Sequence, residues 1–333
     1  MDGSLAPGGA VAIQARSAVT IRLLLSSDMS HNSSATLDTS PALSIPQTGL
    51  WWGLLGVVAF SLTVPFTRVV VDGGMQPLFI GSGRAVVAAL LAAGALALTR
   101  QRLPRGGQWL RLAVVAGGVV AGFPLLTSYA LTTASASHAA VVIALLPAAT
   151  AVMAVVRGHE RPPVIFWVMA AVGAVAAVGF AALQGDGFGG LHRSDLLLFG
   201  AVVAAAIGYA EGGLLARELG AWQTVSWALV LAAPLMVVVA GISVARQTPT
   251  GSPLDWIAFG YLGVVSMYLG FFAWYRGLGI GPMTQVSQVQ LVQPVLTITW
   301  AALLLGEQLT WATVLGGAAV IACAGTAVRS RRP

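Results

Sequence analysis

Apolar residues follow one another in ten long segments between about residue 50 and residue 328, and short links with arginine, Gly-Pro or acidic residues separate them. About 20 such residues are enough for a helix to cross the hydrocarbon core of a bilayer. Because the links are short, we expect consecutive segments to run antiparallel. The pattern predicts an all-α integral membrane protein with ten transmembrane helices. The predicted ranges are 50–71, 77–98, 109–131, 134–156, 163–183, 195–215, 222–243, 254–276, 281–305 and 310–328.

Residues 1–47 precede this pattern and are rich in Ser, Thr, Ala and Pro, with no sustained period. The short apolar stretch from Ala18 to Ser26 is interrupted by Arg22 and is too short to cross a membrane. A cleaved signal peptide is the weaker alternative. We therefore predict a disordered cytoplasmic tail. Met29 offers a second possible start, which leaves open whether residues 1–28 belong to the native protein.

Two copies of one pattern divide the rest of the chain. Pro147 and Glu160 are thirteen residues apart, and Pro294 and Glu307 repeat this spacing 147 residues later. The predicted copies are 48–185 and 186–333, each with five helices. Because five is odd, the second copy enters the membrane inverted relative to the first, an arrangement common in secondary transporters. The prolines interrupt their segments as hinges or as static kinks.

The arginines predict the orientation of the chain. With a cytoplasmic N-terminus, thirteen of the seventeen basic residues lie in the tails or in links on the inner side. Arg68, Arg193 and Arg246 lie on the outer side, and Arg84 lies within a segment. Cytoplasmic links are enriched in positive charge. We therefore predict that both termini are cytoplasmic.

Composition agrees with a membrane protein and limits the chemistry. The chain is 57% hydrophobic and 8% charged, whereas soluble domains carry about 25% charged residues. The basic pI, about 10.4, comes from arginines spread over links, so we do not expect nucleic-acid binding. The single Cys323 excludes an intrachain disulfide. No His, Cys or carboxylate cluster has metal-ligand spacing, and we predict no metal and no cofactor.

Three of the ionisable residues inside apolar segments are candidate site residues, because charge there is costly and often functional. Arg84 is a candidate to bind a substrate carboxylate, or else a structural arginine bonded to carbonyls. Glu211 is a candidate group for proton coupling, or else pairs with a cytoplasmic arginine such as Arg217 or Arg276. His138 either binds a ligand or a proton, or is wetted at the interface.

The ninth segment carries a polar stripe. Gln290, Gln293, Thr297 and Trp300 are spaced i, i+3, i+7 and i+10, which places them on one helical face. We predict that the stripe lines a solute cavity. The alternative is hydrogen bonding between helices, at about 0.6 kcal/mol per bond. The GxxxG pairs Gly118/Gly122 and Gly208/Gly212 are typical of close helix packing, within one bundle or in a dimer.

The ninth segment also carries a resemblance. It follows the run Trp-Tyr-Arg at 274–276 and a Gly-Pro link, contains Gln293-Pro294 and closes on Leu-Leu-Gly-Glu at 304–307. This combination resembles the EamA family of the drug/metabolite transporter superfamily, over about 50–328. The first copy departs from it, because it ends Arg-Gly-His-Glu at 157–160.

The resemblance implies an exporter of small metabolites in a bacterial inner membrane, with amino acids, aromatic and other neutral ones, as the expected solutes. It also implies a central cavity lined by both repeats. A multidrug exporter of lipophilic cations is the alternative, but such a site needs acidic and aromatic walls, whereas one Arg and one Glu suit a zwitterion better. An intramembrane enzyme would need a nucleophile–base pair or a metal cluster, and the sequence shows neither. Proton antiport and facilitated diffusion both stay open, as do the monomer and the homodimer.

Overall fold

A computed structural model describes Met1 and residues 47–158, most of 164–176, 192–280, Val286 and 289–329. All regular secondary structure in these ranges is helical, and residues 45–333 form one compact unit. The predicted disordered tail falls almost wholly outside the described residues, as does Glu160.

The first half of the chain forms seven helices and one π-helical stretch within the described ranges. The ten described residues between 164 and 176 are helical as well. The helices are α1 (Gln47–Ser61), α2 (Thr63–Asp72), α3 (Pro77–Leu98), α4 (Gln108–Val115), α5 (Phe123–Ala130), α6 (Ala136–Ile143) and α7 (Leu146–Gly158), and the π-helix Ala116–Gly122 joins α4 to α5.

The second half follows the same plan. A π-helix, Leu262–Leu269, again joins two α-helices, and a short 3₁₀ turn, Gln290–Val292, leads into another. The helices are α8 (Arg193–Leu219), α9 (Ala221–Arg246), α10 (Pro253–Tyr261), α11 (Gly270–Ile280), α12 (Gln293–Leu305) and α13 (Trp311–Arg329).

Six of the described helical stretches are long and apolar enough to cross a membrane. The most apolar, Ala221–Arg246, has a mean hydropathy of 2.5 and is the least buried of the six. Its Leu235, Val237 and Val238 are exposed, which is the arrangement expected of a helix that faces lipid rather than water. The other four predicted spans are shorter or lie partly outside the described residues. The number of ten transmembrane helices and the cytoplasmic position of both termini therefore stay predictions.

Several of the predicted segments are interrupted, and in two of them the break lies beside a proline at which the sequence predicted a hinge or a static kink. The first breaks at Leu62, and the fourth breaks at Ala144–Leu145. In the ninth, the 3₁₀ turn ends where α12 begins at Gln293. Pro147 and Pro294 are therefore the second residues of α7 and α12, where a missing N–H costs no helical hydrogen bond.

The repeat distance read from the sequence reappears in these irregular turns. Moving the π-helix Leu262–Leu269 back by 147 residues gives 115–122, which covers the other π-helix, Ala116–Gly122. Single π-turns inside helices often mark functional regions. The same shift brings the 3₁₀ turn to 143–145, at the break between α6 and α7. Both halves thus depart from regular helix at matching places.

Glycines let the two halves approach closely at their centre. A Cβ at Gly118 would lie 2.4 Å from the Ala204 carbonyl oxygen of α8, and one at Gly208 would lie 2.7 Å from Val119 Cγ1. The two GxxxG pairs noted in the sequence therefore belong to close packing within one bundle, because residues of one pair contact the helix that carries the other.

Candidate functional site

Arg84 lies in a small cavity between the two halves of the chain, which we call the arginine cavity. The Arg84 side chain, on α3, is only 1% exposed. The volume of the cavity is about 20 Å³, enough for one water molecule but not for a metabolite. The cavity is lined by Phe60, Thr63, Val64, Arg84, Val119, Phe123, Tyr209, Ser266, Met267, Phe271 and Gln293.

The guanidinium group of Arg84 has no hydrogen-bond partner among the described residues. Its Nε and both Nη atoms are buried and unpaired. Thr63 and Ser266 on the cavity wall are bonded to each other, with 2.7 Å between their Oγ atoms. Burying a charge without a partner costs several kcal/mol, so the unpaired Arg84 guanidinium needs a compensating polar group.

Aromatic rings form the apolar wall of the arginine cavity. The centroids of Phe60 and Phe271 are 4.8 Å apart, and that of Tyr209 lies 5.8 Å from Phe271. Trp274, fully buried, extends the group with its centroid 5.8 Å from Tyr209. These rings come from α1, α8 and α11, so both halves contribute. The sequence did not predict a place in the site for these rings, because aromatic residues in apolar segments usually belong to the core.

A second narrow cavity joins the two proline breaks, and we call it the proline cavity. Its volume is about 10 Å³. Val64 and Gln293 line both cavities, and Gln293 is the polar residue that they share. The proline cavity is lined by Val64, Ala140, Ile143, Ala144, Pro147, Gln290, Gln293, Pro294 and Thr297.

The predicted polar stripe divides between cavity wall and helix contact. Gln290, Gln293 and Thr297 line the proline cavity, and the Gln290 amide and the Gln293 Oε1 have no partner within hydrogen-bonding geometry. Thr297 Oγ1 donates to the Ser61 carbonyl at 2.9 Å, and Trp300 Nε1 donates to Ser61 Oγ at 3.1 Å. Trp300 lines neither cavity. Ser61, which the sequence did not predict, thus bonds Thr297 and Trp300 of the stripe to α1.

His138 belongs to a polar cluster at the end of the bundle predicted to be outer. Its Nε2 lies 2.6 Å from Oδ1 of Asp195, near the start of α8. Glu307 accepts hydrogen bonds from the backbone N–H groups of Ala136 and Ser137, at 2.7 and 2.9 Å. A carboxylate there compensates the positive end of the α6 dipole. The cluster therefore connects α6 to α8 and to the end of α12.

Glu211 lies at the opposite end, in α8, and is 3% exposed. It forms an ion pair with Arg111 of α4, and the same arginine also pairs with Glu218. The sequence reading proposed Arg217 or Arg276 as a structural partner. Arg276 instead lies over the Trp52 ring, 4.9 Å from its centroid. Arg111 was missed because it is distant in sequence and lies just inside its segment.

The EamA-like transporter family matches residues 47–182 and again 192–328. The chain belongs to the EamA-like transporter family. It contains two copies of the family's domain and is a multi-pass membrane protein. The resemblance read from the ninth segment is thereby confirmed, as is membership of the drug/metabolite transporter superfamily.

Two relatives cover most of the chain. An "Uncharacterized transporter YdeK" of Bacillus subtilis (strain 168) is 42% identical over 285 residues, which are 83% of this chain and 96% of that protein. A "Probable terminal-alkyne amino-acid exporter" of Streptantibioticus cattleyicolor is 28% identical over 292 residues, 85% of this chain and 93% of that protein. Both EamA relatives are named for transport.

The fold also occurs in a solved structure, which is described only as "Crystal structure of protein". Its TM-score is 0.59 at 17% identity, and the match covers 84% of this chain and 98% of that one. Identity this low supports the fold of this EamA-like transporter and says nothing of its solute.

Proposed function

We propose that this EamA-like transporter exports small metabolites, above all aromatic and other neutral amino acids, across the bacterial inner membrane. The single observation that carries the proposal is the buried and unpaired guanidinium of Arg84 beside an aromatic wall. A carboxylate would satisfy the guanidinium through two parallel hydrogen bonds. The rings of Phe60, Tyr209 and Phe271 would then contact an apolar side chain of the solute.

Transport by this site requires the helices to move. Neither cavity is large enough for an amino acid, since their volumes are about 20 and 10 Å³. We propose alternating access between two inverted repeats, with Pro147 and Pro294 as the hinges. The helix breaks before both prolines and their position on one cavity support this role, because movement at a break leaves the flanking helices intact.

The remaining candidates have supporting roles in the proposal. Gln293 offers an unpaired side-chain oxygen to the solute beside Arg84, and Gln290 offers its amide in the adjoining proline cavity. We propose that Thr297 and Trp300 hold this wall against α1, and that His138 acts at the outer end of the path. Glu211 is proposed as the coupling group if export uses protons.

Export of lipophilic cations is the competing function. The aromatic wall favours it, because a cation is attracted to a ring face. Arg84 opposes it, since a positive charge in the same cavity repels a cation where water is scarce. The two functions therefore predict opposite behaviour when Arg84 loses its charge.

The test is transport by the purified full chain in proteoliposomes. We expect counterflow of L-phenylalanine in the wild type and at least a tenfold loss in Arg84→Gln, since removing one partner of a buried charge pair costs about 2–5 kcal/mol. Arg246→Gln is the matched control, because it removes the same charge from an exposed position at the end of α9. Equal phenylalanine transport in all three proteins would contradict the proposal. Faster transport of a quaternary ammonium dye by Arg84→Gln, without phenylalanine transport, would favour the cation exporter.

A further inference from the structure

The acidic residues of the bundle show what the arginine cavity lacks. Within the described ranges, six carboxylates occur, and each has a protein partner. Asp72 pairs with Arg68 at 2.9 Å, and Asp195 with His138 at 2.6 Å. Asp255 accepts from the Ser252 backbone N–H at 2.7 Å. The partners of the other three are described above: Glu211 and Glu218 share Arg111, and Glu307 caps α6.

None of these six carboxylates lines either cavity. Two further acids in this part of the sequence, Glu160 and Asp186, lie outside the described residues. Around Arg84, the polar groups of the described wall are neutral hydroxyls and amides. A bound amino acid would therefore find a cation for its carboxylate but no anion for its ammonium group.

The position of Arg84 makes this asymmetry matter for affinity. The ammonium and carboxylate groups of an α-amino acid are attached to the same carbon, so a carboxylate held by Arg84 brings the ammonium close to a second positive charge. In a buried site such like-charge repulsion is stronger than in water. Desolvation of the ammonium opposes binding as well, because no carboxylate compensates it.

We infer that the arginine cavity selects solutes by a carboxylate joined to an apolar or aromatic body, and that an α-amino group is tolerated rather than recognised. The inference rests on the proposed function, since it concerns the same cavity. It extends the substrate class from amino acids to monocarboxylates without an amine. It also predicts that amines without a carboxylate are excluded.

Three ligands that share one phenylethyl skeleton test the inference: L-phenylalanine, 3-phenylpropanoate, which lacks the amine, and phenethylamine, which lacks the carboxylate. Binding to the purified full chain in detergent is measured by titration of the intrinsic tryptophan fluorescence, with thermal shift as a second measurement. We expect 3-phenylpropanoate to bind within about threefold of phenylalanine or more tightly, and phenethylamine to bind about thirtyfold more weakly or not at all. Arg84→Gln should lose both acids, whereas Arg246→Gln should match the wild type.

The outcomes separate this inference from the proposed function. If phenylalanine binds and 3-phenylpropanoate does not, the protein recognises the amine and only this inference fails. If 3-phenylpropanoate binds and phenylalanine does not, selection by the carboxylate holds, but the α-amino group is excluded rather than tolerated and the amino-acid proposal fails. Binding of phenethylamine as tight as that of the acids, or no binding of any of the three, would overturn both.

Discussion

Arg84 and Glu211 are buried to almost the same extent, with 1% and 3% of their surfaces exposed, but their surroundings differ. The described residues supply no hydrogen-bond partner for the Arg84 guanidinium, whereas Glu211 pairs with Arg111. A buried charge without a partner costs several kcal/mol and persists where it serves a function. We therefore propose that Arg84 binds the solute, and that Glu211 serves proton coupling or stabilises the fold.

Replacing Glu211 separates these two roles. Arg111 faces two carboxylates, Glu211 and Glu218, so the cluster can take up a proton and keep one ion pair. If Glu211 carries the coupled proton, Glu211→Gln should retain solute binding while a pH gradient no longer stimulates export in proteoliposomes. Glu218→Gln is the matched control, because it contacts the same arginine from a side chain that is 44% exposed. If a pH gradient still stimulates export by Glu211→Gln as in the wild type, Glu211 has only a structural role.

The sequence predicts those site residues that are polar and lie in otherwise apolar segments. Arg84, Gln290 and Gln293 stand out in segments without other charges, since polar groups in a membrane span demand an explanation. Whether each one is paired depends on contacts across the fold. The bond of Trp300 to Ser61 joins residues 239 apart in the chain, and no local pattern announces such a partner.

The elements show a similar division between what is local and what is not. Apolar runs predicted the helical segments well, because burial in lipid depends on composition. The break at Leu62 was not predicted, since leucine is common within helices, whereas the break at Ala144–Leu145 lies just before Pro147, at which the sequence predicted a hinge or a static kink. The irregular turns recur at matching positions in both halves. They therefore belong to the repeated fold and do not depend on the local sequence of one half.

Close contact between the π-helix Ala116–Gly122 and α8 gives a prediction at this scale. We expect Gly118→Ala to lower the thermal unfolding temperature in detergent, because its Cβ would lie 2.4 Å from the Ala204 carbonyl oxygen and overpacking costs about 1–3 kcal/mol. Gly117→Ala is the matched control. That glycine is exposed and has nothing within 4 Å of a built Cβ, so its replacement should leave stability unchanged or raise it through helix propensity. Equal unfolding temperatures for the two variants would show that the helices separate without cost.

At the scale of the molecule, polar contacts tie the helices together at both ends of the bundle. At one end, Glu307 joins α12 to α6, and His138 joins α6 to α8. At the other end, Arg111 joins α4 to α8. Because both cavities are too small for a solute, we propose that access from either side breaks some of these contacts. In this proposal the contacts at the two ends open alternately, and α8 takes part in both.

The membrane orientation of the two ends is the prediction of widest consequence. The arginine distribution and the odd number of segments per repeat place the link at 100–111 and the tail after Arg329 in the cytoplasm, and the link at 184–194 outside. Single cysteines test this on a Cys323→Ala background.

Arg102→Cys and Thr250→Cys are both exposed and lie in links at opposite ends, and Gly189→Cys and Ser330→Cys add the third link and the tail. A membrane-impermeant maleimide should label positions 189 and 250 in intact cells, and positions 102 and 330 only after permeabilisation. Labelling of position 102 or 330 in intact cells would overturn the predicted orientation, and labelling of positions 102 and 250 from the same side would overturn the inverted repeat, since an odd number of crossings must separate them.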